Sequence, residues 1–183
     1  MGSARTWRAL TLVLLVVLVG AVARSTFAMP VIREGKGIKT VGVVTETAAN
    51  SINTGTAYSD DLPGASIFVE IPEGTKSLIL VRFSAESACY GKKAGWCNVE
   101  ILVGGAEANP KVGDSFAFDS VSTNGSEDYE AHAMERVSGP KQGDGVYTVQ
   151  VQRRIHITGT GIAGQSVFRL DDWTLTVERI DVP

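Results

Sequence analysis

Cys89 and Cys97 are the only cysteines in a chain of 183 residues, and His132 and His156 are the only histidines. A zinc site asks for cysteines about two to four residues apart, or histidines at a comparable paired spacing. A C-x7-C pair with two distant histidines offers neither. A dithiol redox centre asks for C-x-x-C at a helix N-terminus, where the thiolate is stabilised. The stretch "SAESACYGKKAGWCNVEI", Ser84 to Ile101, has no such form. What remains is oxidation to a structural disulfide, which export from the reducing cytosol favours.

Strand phase sharpens that expectation. Cys89 shares the parity of Ile79, Val81 and Phe83, and Cys97 that of Val99, Ile101 and Val103. Both sulfurs therefore point to an apolar face. If the two strands form a hairpin closed by "YGKKAGW", Glu86 falls opposite Glu100 and Tyr90 opposite Trp96 on the other face. In the chain-entropy picture the closed loop contributes about 2.5 kcal/mol.

Two carboxylates directly opposed across a ladder repel unless a cation lies near them. Arg82, on the same face, is the expected bridge between Glu86 and Glu100, with Arg136, Arg153 or Arg169 as alternatives. A sharper reading places Ca²⁺ at Glu86 and Glu100, or makes them a catalytic pair in a small extracellular hydrolase. Tyr90 and Trp96, with Lys92 and Lys93 between them, make an aromatic and polar surface able to stack on a sugar ring; the simpler reading is that they cover the disulfide.

Other chemistry is thinner. Asp171 and Asp172 form an acidic pair that suits an ion pair with Arg153 or Arg169 better than a Ca²⁺ site. His132 and His156 read as surface histidines. "NGS" at Asn124 is a glycosylation acceptor in a eukaryotic exported chain. The glycine-rich "VGGAEANPKVGD" and "TGTGIAG" join no strand to a helix, so neither reads as a phosphate loop. No nucleophile elbow is present, and the balance of these features leans away from an enzyme.

These residues must be positioned by strands. Short runs rich in Val, Ile, Thr and aromatics recur from Val41 to Ile180, separated by Gly, Pro, Asn and Asp. A weak further strand is expected at Thr54 to Tyr58. In "VYTVQVQRRIHIT" the residues Tyr147, Val149, Val151, Ile155 and Ile157 share one face and Thr148, Gln150, Gln152, Arg154 and His156 the other. Arg153 falls in phase with the apolar set, so it meets an acidic partner inside or reaches out at a sheet edge. In "SVFRLDDWTLTVERI" the apolar parity switches at Asp171-Asp172, which predicts a β-bulge there. Eight or so antiparallel strands predict an all-β, two-sheet β-sandwich, jelly-roll-like or alternatively immunoglobulin-like.

The chain opens with Arg5 and Arg8 and then an apolar run from Ala9 to Ala23, the form of a secretory signal peptide and short of a membrane span. Residues 1–28 are assigned to that signal, or to an N-terminal anchor if uncleaved, residues 29–39 to an extended leader, and residues 40–183 to a single domain. Without Arg5, Arg8 and Arg24 the 17 basic residues become 14 against 20 acidic, a balance of −6 that excludes nucleic acid as a partner. The expected protein is secreted or held in the cell envelope, touching a membrane only through an uncleaved N-terminus. Its expected role is binding, with a glycan or envelope surface as partner, or structural; oligomerisation through a sheet face is the third alternative. Beyond the Ca²⁺ reading no cofactor is implied.

Overall fold

The computed structural model describes residues 37–53, 59–91, 94–111, 113, 116–121, 127–143, 145–157 and 166–183. The signal segment, most of the leader, the expected strand at Thr54 to Tyr58, Lys92, Lys93 and Asn124 lie outside them. The described residues form two antiparallel sheets and no helix long and apolar enough to cross a membrane.

In chain order the strands are β1 (Ile38–Glu46), β2 (Asn50–Asn53), β3 (Ser59–Ile71), β4 (Lys76–Gly91), β5 (Ala94–Val103), β6 (Ala106–Glu107), β7 (Asp119–Ser120), β8 (Glu130–Val137), β9 (Lys141–Gln142), β10 (Gly145–Ile157) and β11 (Ser166–Val182). One sheet runs β1-β11-β4-β8, with β2 beside β11 and β9 beside β4; the other runs β3-β10-β5-β6, with β7 beside β5. Counting β6 and β7 as one interrupted strand and leaving β2 and β9 aside, the first sheet holds the first, eighth, third and sixth strands. The second holds the second, seventh, fourth and fifth. That alternation of the chain between sheets is the jelly-roll form of the β-sandwich.

Alternation along each strand builds the core. Ile79, Val81 and Phe83 of β4, Val99 and Ile101 of β5, Val149 and Val151 of β10, and Leu175 and Val177 of β11 are all at most 1% exposed. They interdigitate between the sheets, where apolar area removed from water stabilises the fold by roughly 25 cal/mol per Å². Trp173 lies in the same layer with its ring 6.3 Å from Phe83, whose other neighbour is Phe118 at 5.8 Å.

The bulge expected at Asp171-Asp172 is present. Pairing of β11 with β4 steps from Asp171↔Glu86 to Thr174↔Ser84, and Asp172 has a φ of 43°. Before it the even residues Phe168 and Leu170 are buried, and after it the odd residues Trp173, Leu175 and Val177. The extra residue lets β11 keep apolar side chains inward along its whole length.

The hairpin expected between the two cysteine-bearing strands does not form. Cys89 and Cys97 are joined by a disulfide with Cα atoms 5.8 Å apart, but β4 pairs with β11 and β8 whereas β5 pairs with β10, β6 and β7. The bond therefore ties one sheet to the other, close to where the chain passes between them. Side-chain parity is the same in both arrangements, because inward from one sheet meets inward from the other.

Candidate functional site

Placing β4 and β5 in opposite sheets redistributes the candidate residues. Glu86 faces Asp171 and Ala131 on the outer surface of the β4 sheet, while Glu100 faces Gln152 on the outer surface of the β5 sheet. The thickness of the sandwich lies between them. They cannot share a Ca²⁺ ion or act on one substrate bond, so both the metal and the hydrolase readings of that pair are corrected. Among the described residues no group of three or more His, Cys, Asp or Glu is placed to hold a metal ion. Burial, followed by the Glu107 charge, raises the pKa of the Glu100 carboxyl.

Tyr90 and Trp96 are separated in the same way. Trp96 sits on the β5 sheet, stacked on His156 with ring centroids 4.6 Å apart and planes 14° from parallel. Tyr90 pairs with Val167 on the β4 sheet. The aromatic pair expected at a hairpin tip is thus two surfaces on opposite sides.

Of the charged candidates Arg82 is re-partnered, whereas Arg153 and Asp171 find partners of the expected kind. Arg82 bridges two carboxylates, but these are Glu135 on β8 and Glu178 on β11: Nε donates to Glu135 Oε2 at 2.6 Å and Nη1 to Glu178 Oε1 at 2.8 Å. Those two hydrogen bonds hold the Arg82 pKa above its ordinary value. Arg153 is 2% exposed, donates from Nη2 to Asn50 Oδ1 at 2.6 Å and lies 3.7 Å from Asp60 Oδ2. Burial pulls its pKa down and the Asp60 charge opposes that. Asp171 takes Arg169 as its cation, at 4.0 Å, and Asp172 supplies the bulge.

His132 turns toward the interior rather than outward. Its ring packs 5.5 Å from Phe118, with Nε2 3.5 Å from Glu130 Oε2 and 3.9 Å from Asp119 Oδ1. The buried Ser87 hydroxyl donates to Asp119 Oδ2 at 2.8 Å. Its proton is directed to a carboxylate instead of an imidazole, which is the wrong order for nucleophile activation.

The outer face of the β1-β11-β4-β8 sheet brings the most together. Across its middle, Ser84 pairs with Thr174 and Ala133, and Thr174 with Thr45. These short side chains leave a shallow trough of about 470 Å³, lined by Arg82, Ser84, Ala133, Glu135, Thr174 and Thr176, with Phe83 and Met134 beneath. The Arg82–Glu135–Glu178 cluster closes one end. Toward the other, past Glu86 and Asp171, Tyr129 donates its hydroxyl to Glu127 Oε1 at 2.6 Å, and the Arg169 guanidinium sits 5.5 Å from the Tyr129 ring centre. Arg169 Nη1 reaches the same Glu127 oxygen at 3.1 Å. Desolvation, then the Glu127 hydrogen bond and charge, push the Tyr129 pKa up to about 12. Desolvation, then the Glu127 charge, also raise that of Tyr90.

From Ser84 to Tyr90 this surface runs six residues along β4, roughly 20 Å at about 3.3 Å per residue. The sequence marks Tyr90, Glu86, Arg82, Asp171 and Arg169, pairing Arg82 with Glu86 and Arg169 with Asp171, but does not join them into one surface. Tyr129 and Glu127 carry no mark in the sequence because strand pairing, not sequence distance, brings them beside Arg169.

No protein-family model matches the chain, and no curated protein matches it. Among solved structures, the chain is similar to dimeric latent PorU from Porphyromonas gingivalis at 12% identity, covering 77% of this chain and 12% of that one, with a TM-score of 0.46. It is similar to a family 35 carbohydrate-binding module from Clostridium thermocellum at 14% identity, covering 82% and 98%, with a TM-score of 0.24. It is also similar to the CBM36-1 domain of a multidomain xylanase from the hindgut metagenome of Trinervitermes trinervoides at 13% identity, covering 71% and 96%, with a TM-score of 0.26. The chain thus spans about an eighth of the length of the PorU structure.

Proposed function

We propose that this protein is an exported, non-catalytic binding module that takes an oligosaccharide along the outer face of the β1-β11-β4-β8 sheet. The observation that carries the reading is the trough itself: an open depression lined by the hydroxyl-bearing residues Ser84, Thr174 and Thr176 and leading toward the Tyr129 surface. Sugar hydroxyls both donate and accept, so they are matched by hydroxyl and carboxylate groups in a site that stays wet. The apolar faces of sugar rings are matched by the faces of Tyr129 and Tyr90. A surface about 20 Å long suits a chain of sugars better than a single one. Export is supported by the disulfide, which persists outside the reducing cytosol, and by the signal-like N-terminus.

Affinity electrophoresis through gels containing soluble polysaccharides tests this. Ala133→Trp, which fills the trough, and Tyr129→Ala are each expected to lower retention about tenfold, or about 1.4 kcal/mol, while leaving the melting temperature little changed. Trp96→Ala is expected to leave retention unaltered, since Trp96 is on the opposite sheet. Unchanged retention in both trough variants would sink the assignment. Loss with Trp96→Ala alone would move the site to the Trp96–His156 face.

A further inference from the structure

The charge arrangement on this face bears on which sugars it accepts, an inference that rests on the binding reading above. From Arg82 to Tyr90 the described surface carries two guanidinium groups, and each is held by two carboxylates. Arg82 is fixed between Glu135 and Glu178 at 2.6 and 2.8 Å. Arg169 lies between Glu127 and Asp171 at 3.1 and 4.0 Å, with its guanidinium carbon 5.5 Å from the Tyr129 ring centre. Glu86 adds a fifth carboxylate opposite Asp171. Recognition of a sugar carboxylate or sulfate needs a cation whose fork of donors is open to it. Here the Nε and Nη1 donors of Arg82 and the Nη1 donor of Arg169 are already taken by carboxylates of the protein, and the surplus charge around the trough is negative.

We infer that the trough selects uncharged oligosaccharides and rejects those bearing uronic acid or sulfate groups, and that Glu135 and Glu178 set this preference by occupying Arg82. Neutralising both carboxylates weakens their hold on Nε and Nη1 of Arg82 at the trough wall and lifts two negative charges from it. Glu135→Gln/Glu178→Gln is therefore expected to gain affinity for an anionic polymer. Because Arg82 and Glu135 are half-exposed, the gain should shrink with added salt.

The experiment runs wild type and the double variant through gels containing a neutral β-glucan, a neutral xylan, polygalacturonate or heparin, at low and high ionic strength. The expected result is that wild type is retarded by a neutral polymer and passes unretarded through both anionic ones. The variant should be retarded by at least one anionic polymer about tenfold more than wild type at low salt, with that retardation lost at high salt. Wild-type retention on polygalacturonate or heparin equal to that on the neutral polymers overturns the inference and leaves the binding reading standing. A variant that gains nothing on anionic polymers, while melting like wild type, overturns the role given to Glu135 and Glu178. Retention on none of the polymers overturns the binding reading and this inference with it.

Discussion

His156 titrates against its surroundings. Burial first, and the Arg154 charge second, lower its pKa below the ordinary 6.5. The folded protein therefore takes up that proton less readily than the unfolded chain does. Stability from this residue is complete above pH 6.5 and falls as the pH drops through 6.5 toward the lower folded value. His156→Phe keeps a ring for Trp96 to stack on and removes the titration. Melting temperatures measured at pH 7 and pH 5 should show a smaller acid loss in His156→Phe than in wild type. Glu100 on the same face changes in the opposite sense, since its raised pKa is lost as a source of stability when the pH rises, but it is common to both proteins and cancels in the comparison. An identical acid loss would mean that His156 plays no part in it.

At the scale of the strand, β11 depends on one residue. Asp172 adopts a φ of 43°, with its amide donating to Asp171 Oδ1 at 3.0 Å. A left-handed backbone costs an L-residue roughly 1–2 kcal/mol, less for Asp, and more for a β-branched side chain. Asp172→Gly should raise the urea midpoint slightly or leave it unmoved, and Asp172→Val should lower stability by about 1–2 kcal/mol. Equal midpoints for the two variants would count against strain at the bulge. This device was legible in the sequence because the apolar parity of Phe168 and Leu170 disagrees with that of Trp173 and Leu175, and parity is a property of one strand alone. Pairing is not. Cys89 and Cys97 show inward-facing parity whether they face each other across a hairpin or across a sandwich, so the register that set Glu86 against Glu100 and Tyr90 against Trp96 had no independent support. The same limit hid the trough: Ser84, Ala133 and Thr174 look unremarkable until three strands set them side by side. Arg153 was read more closely, since a charge in an apolar phase must find a partner wherever the neighbouring strands lie, and Asn50 with Asp60 supplies it.

For the molecule as a whole, the disulfide is a covalent cross-link between layers that packing and the Ser87–Asp119 and Arg153–Asn50 hydrogen bonds also join. Its two cysteines are eight residues apart, so the gain from constraining the unfolded chain is about 2.5 kcal/mol. Cys89→Ala/Cys97→Ala should melt roughly 5–10 °C lower, at about 2–4 °C per kcal/mol for a domain of this size. Far-ultraviolet dichroism should be retained, because the core of Val81, Phe83, Ile101 and Leu175 does not depend on the bond. A double variant that melts like wild type would make the bond irrelevant to stability. The outer ends of β1 and β11 meet at one place, with Ile38 opposite Ile180 in their ladder. A stretching force applied between residues 37 and 183 would load that ladder as a zipper, separating it one rung at a time instead of shearing all its hydrogen bonds together. β1 would peel away first under tension, and the disulfide, lying inward of β11 on β4 and β5, would be reached last.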